Sequence, residues 1–234
     1  MWLKTACSNC NLRELCMPVG LTADELCQLD SLVDDRRHIE RGASLYAAGS
    51  PFKAFHAVRV GSFKTSVLAE DGREQVTGFH MVGELIGLDG IGTDIHTCSA
   101  SALEDSEVCL LPFSRLEDFS RTMPVLQHHM YRLMGAEIVR AQFSMMMLGT
   151  MRADEKLSLF LLNLSDRYLK RGYSASEFVL RMSRKEIGSY LGLEFETVSR
   201  LFSRFQNEGL IVVQQKYIKL LEPAILRNLI GTPD

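Results

Sequence analysis

The feature that most narrows the fold is a block near the carboxyl end, "MSRKEIGSYLGLEFETVSRLFSRFQNEGLI", residues 182–211. Ser183 followed three positions on by Glu186 is a capping box, so a helix should begin on "RKEIGSYL". Gly192 stands where a tight turn must follow. A second helix should run from about Glu194 to Asn207 and stop before Gly209. Leu191, Leu193, Val198 and Leu201 are spaced to bury the contact between the two helices, and Gly188 lets them approach. Two short helices joined by a glycine turn make a helix-turn-helix. The "GLIVVQQKYIKLL" that follows reads as two strands and a turn, a wing.

The second helix puts Glu196, Ser199 and Arg200 on one side. An arginine can bond guanine O6 and N7 with two parallel N–H groups, and a glutamate can accept from cytosine N4. Arg184, Lys185 and Arg204 are candidates for phosphate contacts, which set register without reading sequence. Charge agrees: residues 1–150 carry 13 Lys+Arg against 19 Asp+Glu, and residues 151–234 carry 13 against 10. A net charge of −3 thus hides a basic carboxyl-terminal third behind an acidic body.

At the other end, "CSNCNLRELC" (residues 7–16) holds Cys7, Cys10 and Cys16 as C-x2-C-x5-C. No apolar run approaches the roughly 20 residues that span a bilayer, and "MWLKTACSNC" lacks a secretory apolar region. A cytoplasmic location with reduced thiols follows, and six cysteines there point to metal or redox chemistry. Three thiolates need a fourth ligand to close a zinc site or an iron–sulfur cluster. Cys27, Cys98 and Cys109 are all candidates, and spacing does not choose among them or between the metals.

Between these ends lie a short helix within 21–35, capped by Thr22 and Glu25, and a strand-rich stretch from about 36 to 112. Runs such as "FHAVRVGSFKTSVL" and "TCSASALEDSEVCLLP" are broken by glycines, and "EDGRE" at 70–74 carries the Asp-Gly signal of a tight hairpin. This suggests a β-sandwich or jelly-roll barrel. Residues 113–121 suit a helical turn. A long helix should start near Pro124. On it Met130, Met134, Ile138, Ala141, Met145 and Leu148 are spaced 4, 4, 3, 4, 3, close to a coiled-coil seam. That stripe suits a dimer interface, packing on the chain's own barrel, or both. A further helix over 153–171 should bury Leu157, Phe160, Leu161 and Leu164 before "RGYS" ends it. The histidines form no triad with Cys or Asp: His56 and His80 suit barrel positions, and His128 and His129 the surface of the long helix. Nothing suggests an enzyme.

This order of parts resembles the CRP/FNR family of bacterial transcription regulators, along essentially the whole chain. "EQVTGFHMVGELIGLDGIG" (74–92), "RMSRKEIGSYLGLEFETVSRLFSRFQ" (181–206) and "CSNCNLRELC" are similar to motifs of the oxygen-sensing FNR branch. The resemblance implies an α+β chain in four parts. These are a cysteine segment (1–20), a cyclic-nucleotide-binding-like jelly-roll sensor domain (21–122), a dimerisation helix (123–151) and a winged helix-turn-helix (152–234). It implies a 4Fe–4S cluster on Cys7, Cys10, Cys16 and, in "EVCLLPF", Cys109. It further implies a homodimer that binds double-stranded DNA at two-fold repeats of TTGAT when the cluster is intact, and that contacts RNA polymerase. Glu196, Ser199 and Arg200 occupy the family's base-reading positions. Two departures stand out. "GTDIHTCSAS" (92–101) lacks the arginine that holds a cyclic phosphate in nucleotide-binding members, which argues against cyclic AMP. Ala141 stands where the branch often has an acidic residue, which should strengthen the dimer. The competing readings are a zinc-stapled or ligand-sensing regulator and an iron–sulfur redox protein.

Overall fold

The computed structural model describes Cys16, residues 22–33 and residues 35–231. Cys7 and Cys10 lie outside them. The chain divides into two compact units, and the division falls between Ile138 and Val139, inside the long helix. Among the described residues no helix is long and apolar enough to cross a membrane.

In the first unit α1 (Ala23–Leu32) precedes the strands, and Thr22 and Glu25 form its expected capping box. Eight strands follow: β1 (Arg36–Ile39), β2 (Ser44–Tyr46), β3 (Ala54–Val60), β4 (Ser62–Leu68), β5 (Glu74–Met81), β6 (Leu85–Ile86), β7 (Ser99–Ala102) and β8 (Ser106–Pro112). They form two four-stranded antiparallel sheets, ordered β1-β8-β3-β6 and β2-β7-β4-β5. The sandwich inferred from the strand spacing is therefore present.

Strand β3 explains the layering. Alternate side chains of a strand face opposite sides, yet Ala54 through Val58 are all buried. One set, with Val58 and its β8 neighbour Val108, packs with Phe63, Ile86 and Ala100 between the sheets. The other set, Phe55 and Ala57 with Leu111, faces a second cluster built from helices. To it α1 supplies Leu29 and Leu32, and α2 (Phe113–Thr122) supplies Leu116. The start of α3 (Pro124–Thr150) adds Leu126 and Met130. The segment 113–121, expected as a helical turn, is a longer helix whose apolar side covers this sheet.

The Asp-Gly hairpin is looser than a two-residue turn. Leu68 pairs with Glu74, leaving a five-residue loop closed by the Ala69 N–H on the Arg73 carbonyl at 2.9 Å. The Asp71 carboxylate accepts from the Arg73 amide at 3.1 Å and so competes for the backbone of the turn.

The second unit holds α4 (Ala153–Leu169), α5 (Arg184–Leu191), α6 (Phe195–Asn207) and α7 (Pro223–Leu229). Leu157, Phe160, Leu161 and Leu164 of α4 are all buried, as their spacing predicts. Strands β10 (Ile211–Gln214) and β11 (Tyr217–Leu220) form the wing hairpin, and Gln215 takes a positive φ of 56° in its turn. A third strand, β9 (Glu177–Val179), pairs with β11. Neither β9 nor α7 was anticipated: each is short and has too few residues to show a period.

Gly61 carries the chain from β3 in one sheet to β4 in the other, at φ +83°. A Cβ there would lie 2.9 Å from the Ser106 Cα. Gly61→Ala should cost roughly 2 kcal/mol or more, from left-handed strain plus overpacking. Thermal unfolding should show a lowered midpoint, whereas Gly72→Ala, strained in the same way but with open space around it, should cost less.

Candidate DNA-binding surface and cysteine site

Local chemistry builds the helix pair. The Ser183 hydroxyl accepts from the Glu186 amide at 3.2 Å, and Glu186 returns a bond to the Ser183 N–H at 2.7 Å. Gly192 ends α5 in the left-handed conformation, φ 63°, and the Leu193 N–H reaches the Gly188 carbonyl at 2.9 Å. A Cβ on Gly188 would stand 2.5 Å from the Leu193 carbonyl oxygen and 3.5 Å from Val198. The glycine therefore serves the turn first and the helix contact second. Val198, Leu201, Phe202 and Phe205 bury the inner face of α6, and Leu193 is half-buried.

On the outer face Glu196 and Arg200 are exposed and Ser199 is half-buried. The Arg200 guanidinium is lightly tethered to the Thr197 hydroxyl at 3.3 Å. Ser199, Arg200, Ser203, Arg204, Asn207 and Glu208 line one open hollow on this face. Lys185 is exposed.

The other two expected phosphate contacts are engaged within the unit. The Arg184 guanidinium lies 3.1 Å from the centroid of the Phe202 ring, a cation–π contact. One of its terminal nitrogens is buried with no hydrogen-bond partner, and burial lowers its pKa to about 10, so it stays charged at neutral pH. Arg204 bonds Asp154 of α4 at 3.1 Å and lies 3.6 Å from Glu208. Burial by itself would raise the Asp154 carboxyl, but the Arg204 bond and its own helix's N–H groups outweigh that and hold it below the usual range. Each arginine would have to leave an internal partner to meet a phosphate. Sequence spacing carried no sign of this, because Phe202 and Asp154 meet them only in the folded unit.

The seam on α3 is divided in use. Met130 is buried in the sheet-covering cluster and Met134 packs against it. Ile138 and Met145 are 59% and 69% exposed, and Ala141 is exposed. Leu148 belongs to the second unit: its Cδ2 lies 2.9 Å from where a Gly192 Cβ would stand, and its carbonyl accepts from Lys156 at 3.2 Å. Met130, at one end of the expected dimer stripe, is therefore buried within the chain, whereas Leu148 at the other end touches its own unit and stays 38% exposed. Exposed apolar residues off the stripe, including Val139 and Phe143, extend its free middle.

The described cysteines differ sharply. Cys109 lies in β8 between Arg36 of β1 and Ala57 of β3. It is half-buried and packs against the sheet-covering cluster, as does Cys16. Distant in sequence, these two thiols thus border one apolar cluster. His129 of α3, expected at the surface, is half-buried and its ring hydrogen-bonds the Cys16 backbone. Cys27 is exposed on α1. Cys98 is buried 4.0 Å from the Tyr46 hydroxyl, and burial together with Asp89 pushes its thiol up to about 12. A thiol that keeps its proton is a poor metal ligand. Among the described residues no three potential metal ligands converge.

Asp89 organises the backbone entering β7. Its carboxylate accepts from the Thr97 amide at 2.8 Å and the Cys98 amide at 3.2 Å, beside the Tyr46 hydroxyl at 3.3 Å. His96 stacks on Tyr46 with ring centroids 3.6 Å apart. His56 and His80 are buried in the sandwich, as expected.

Comparison with known proteins agrees with this architecture. Residues 36–122 match the model of the cyclic nucleotide-binding domain and residues 155–229 that of the Crp-like helix-turn-helix domain. The chain is 49% identical to the transcriptional regulatory protein btr of Bordetella pertussis, over 96% of this chain and 93% of that one. It is 43% identical to the fumarate and nitrate reduction regulatory protein of Escherichia coli, over 96% and 90%. Among solved structures, FixK2 from Bradyrhizobium japonicum superposes with a TM-score of 0.79 at 28% identity, covering 86% of this chain and 98% of that one. The chain belongs to the CRP/FNR family of DNA-binding transcription regulators, on the branch of the fumarate and nitrate reduction regulators.

Proposed function

We propose that this regulator is a homodimer that binds TTGAT-type inverted repeats and recruits RNA polymerase while a 4Fe–4S cluster is held by Cys7, Cys10, Cys16 and Cys109. The observation that carries the cluster reading is the sharing of one apolar cluster by Cys16 and Cys109. The donor set suits the group: iron–sulfur clusters are held by thiolates, and both described thiols are half-shielded from water. When bound, such a cluster is open to attack by oxygen, so its presence reports the redox state.

The chain's own residues supply the rest. Cys109 is held by two neighbouring strands, and Cys16 is fixed through His129 and the cluster that also contains Leu126 and Met130 of α3. The packing that positions the thiols is therefore shared with the first turns of the dimer helix. The free middle of that helix, around Ile138, Ala141 and Met145, meets the second copy. Glu196, Ser199 and Arg200 read bases, with Lys185 on phosphate and Arg184 and Arg204 available to phosphate once released from Phe202 and Asp154. Cyclic AMP is not the signal: the Thr97 and Cys98 amides already serve Asp89, and an anion there would meet a carboxylate. The exposed loop at 70–74 is a candidate contact for RNA polymerase.

Three measurements test this. Anaerobically purified protein should be coloured and contain iron and sulfide. Cys109→Ser should abolish both as fully as Cys10→Ser, while Cys27→Ser and Cys98→Ser keep them; a colourless protein containing zinc and no iron overturns the assignment. In a gel-shift assay a duplex bearing the TTGAT repeat should be retarded without oxygen and released after exposure to it. Arg200→Ala should lose specific binding, at about 1–3 kcal/mol per base contact. Finally, cluster-free protein should keep a dimer fraction at micromolar concentration, and Ala141→Asp should remove it in analytical ultracentrifugation, because apposed carboxylates repel.

A further inference from the structure

His129 sits on the second turn of α3, between Leu126 and Met130 in sequence, both of them buried in the sheet-covering cluster. Leu133 and Met134 pack against the same cluster one turn on. A helix that had only to cover the sheet would place another leucine or methionine at 129. Instead the imidazole is half-buried, and among the described residues its Nε2 is buried with no hydrogen-bond partner. A dry, unpartnered nitrogen is unfavourable, so this ring needs a reason. Its hydrogen bond goes to the Cys16 backbone. With Nε2 unpartnered, the bonding nitrogen is Nδ1. Burial pulls the ring below its ordinary pKa, and the Cys16 bond acts against burial. Only a bond donated by the ring favours its protonated form, so Nδ1–H donates and the Cys16 carbonyl accepts.

The bond joins two parts with different duties. At one end it holds the carbonyl of Cys16, whose side chain packs against the sheet-covering cluster. The carbonyl carbon is attached to the Cα that bears the thiol, so fixing one restricts the other. At the other end, Tyr131 on the same turn of α3 is 60% exposed, seven positions before Ile138, which is 59% exposed. Seven residues return a helix to the same flank. The turn that carries His129 therefore also begins the exposed flank offered to a second copy. We propose that His129 is a positioning residue that couples the cysteine segment to dimerisation, by tying the first turns of α3 to the Cys16 backbone. The inference rests on the cluster reading above and adds the residue through which that site acts on the dimer. When the Cys16 thiol is released from metal its backbone loses an anchor, and the His129 bond passes that change to α3. Such coupling is reciprocal: dimer formation in turn steadies Cys16.

The test measures the dimer dissociation constant of the full-length, anaerobically purified protein by analytical ultracentrifugation, with its cluster and after iron is removed by a chelator. The readout is the ratio of the two constants. His129→Leu should keep the iron and sulfide content of the wild type but shrink the ratio by roughly fivefold per protomer, the equivalent of one hydrogen bond, by weakening only the loaded dimer. His129→Asn should keep most of the ratio, because its side-chain N–H can stand where Nδ1–H stands. His129→Met provides a second apolar replacement should the leucine variant fail to unfold cooperatively. His128→Leu, at the exposed neighbouring position, should leave the ratio unchanged. An undiminished ratio in the apolar variants overturns the proposal. Equal weakening of the loaded and cluster-free dimers also overturns it, because that is what a merely structural role would give, and so does loss of iron from the apolar variants. If the wild type itself carries no iron, the cluster reading has failed, and this inference with it.

Discussion

The structure of the first unit depends on one sheet being buried on both faces. Strands β3 and β8 put Val58 and Val108 between the two sheets and Phe55, Ala57 and Leu111 against helices. A sheet with one wet face would need only alternating apolar residues. This one needs helices to cover its second face, and α1, α2 and the beginning of α3 are those helices. Cys109 falls on the helix-facing side by the same alternation that places Leu111 there. The thiol that the family resemblance assigns to a cluster is therefore set against the packing that anchors the long helix.

The long helix is shared among three duties. Its first turns seal the sheet through Leu126 and Met130. Its last turn is bound to the helix-turn-helix through Leu148 and Lys156. The exposed apolar residues lie mainly in between. The stripe of six positions is thus split by geometry into a packed start, Met130 and Met134, and an exposed remainder from Ile138 to Leu148. The basic residues show a similar economy. Arg184 on Phe202 and Arg204 on Asp154 are held by internal partners, so their charges contribute to packing and ion pairing in the free protein. The Arg204–Asp154 pair is partly exposed, and surface pairs of that kind are individually weak.

Much of this was legible in the order of residues. Capping boxes at Thr22 and Ser183, the glycine stop at Gly192 and the buried faces of α4 and α6 all appear where the sequence puts them. These features depend on neighbours three or four positions away, and such local chemistry survives without tertiary context. The helix-turn-helix was readable for the same reason, and so were Glu196, Ser199 and Arg200 on its outer face. Strand β9 and helix α7 were not, since a strand of three residues acquires its role only by pairing with β11.

What the sequence determined by itself was the set of local elements, their order and the residue types offered to DNA and to metal. What only the tertiary structure decided was which of those residues are free. It set Cys16 and Cys109 on one apolar cluster while locking Cys98 against Tyr46 and Asp89. It buried Met130 in the sheet-covering cluster and left Ile138, Ala141, Met145 and Leu148 exposed along the rest of the stripe. The physical reason is common to all. Exposure and partnership depend on contacts between segments far apart in the chain, and periodicity reports only the segment's own geometry.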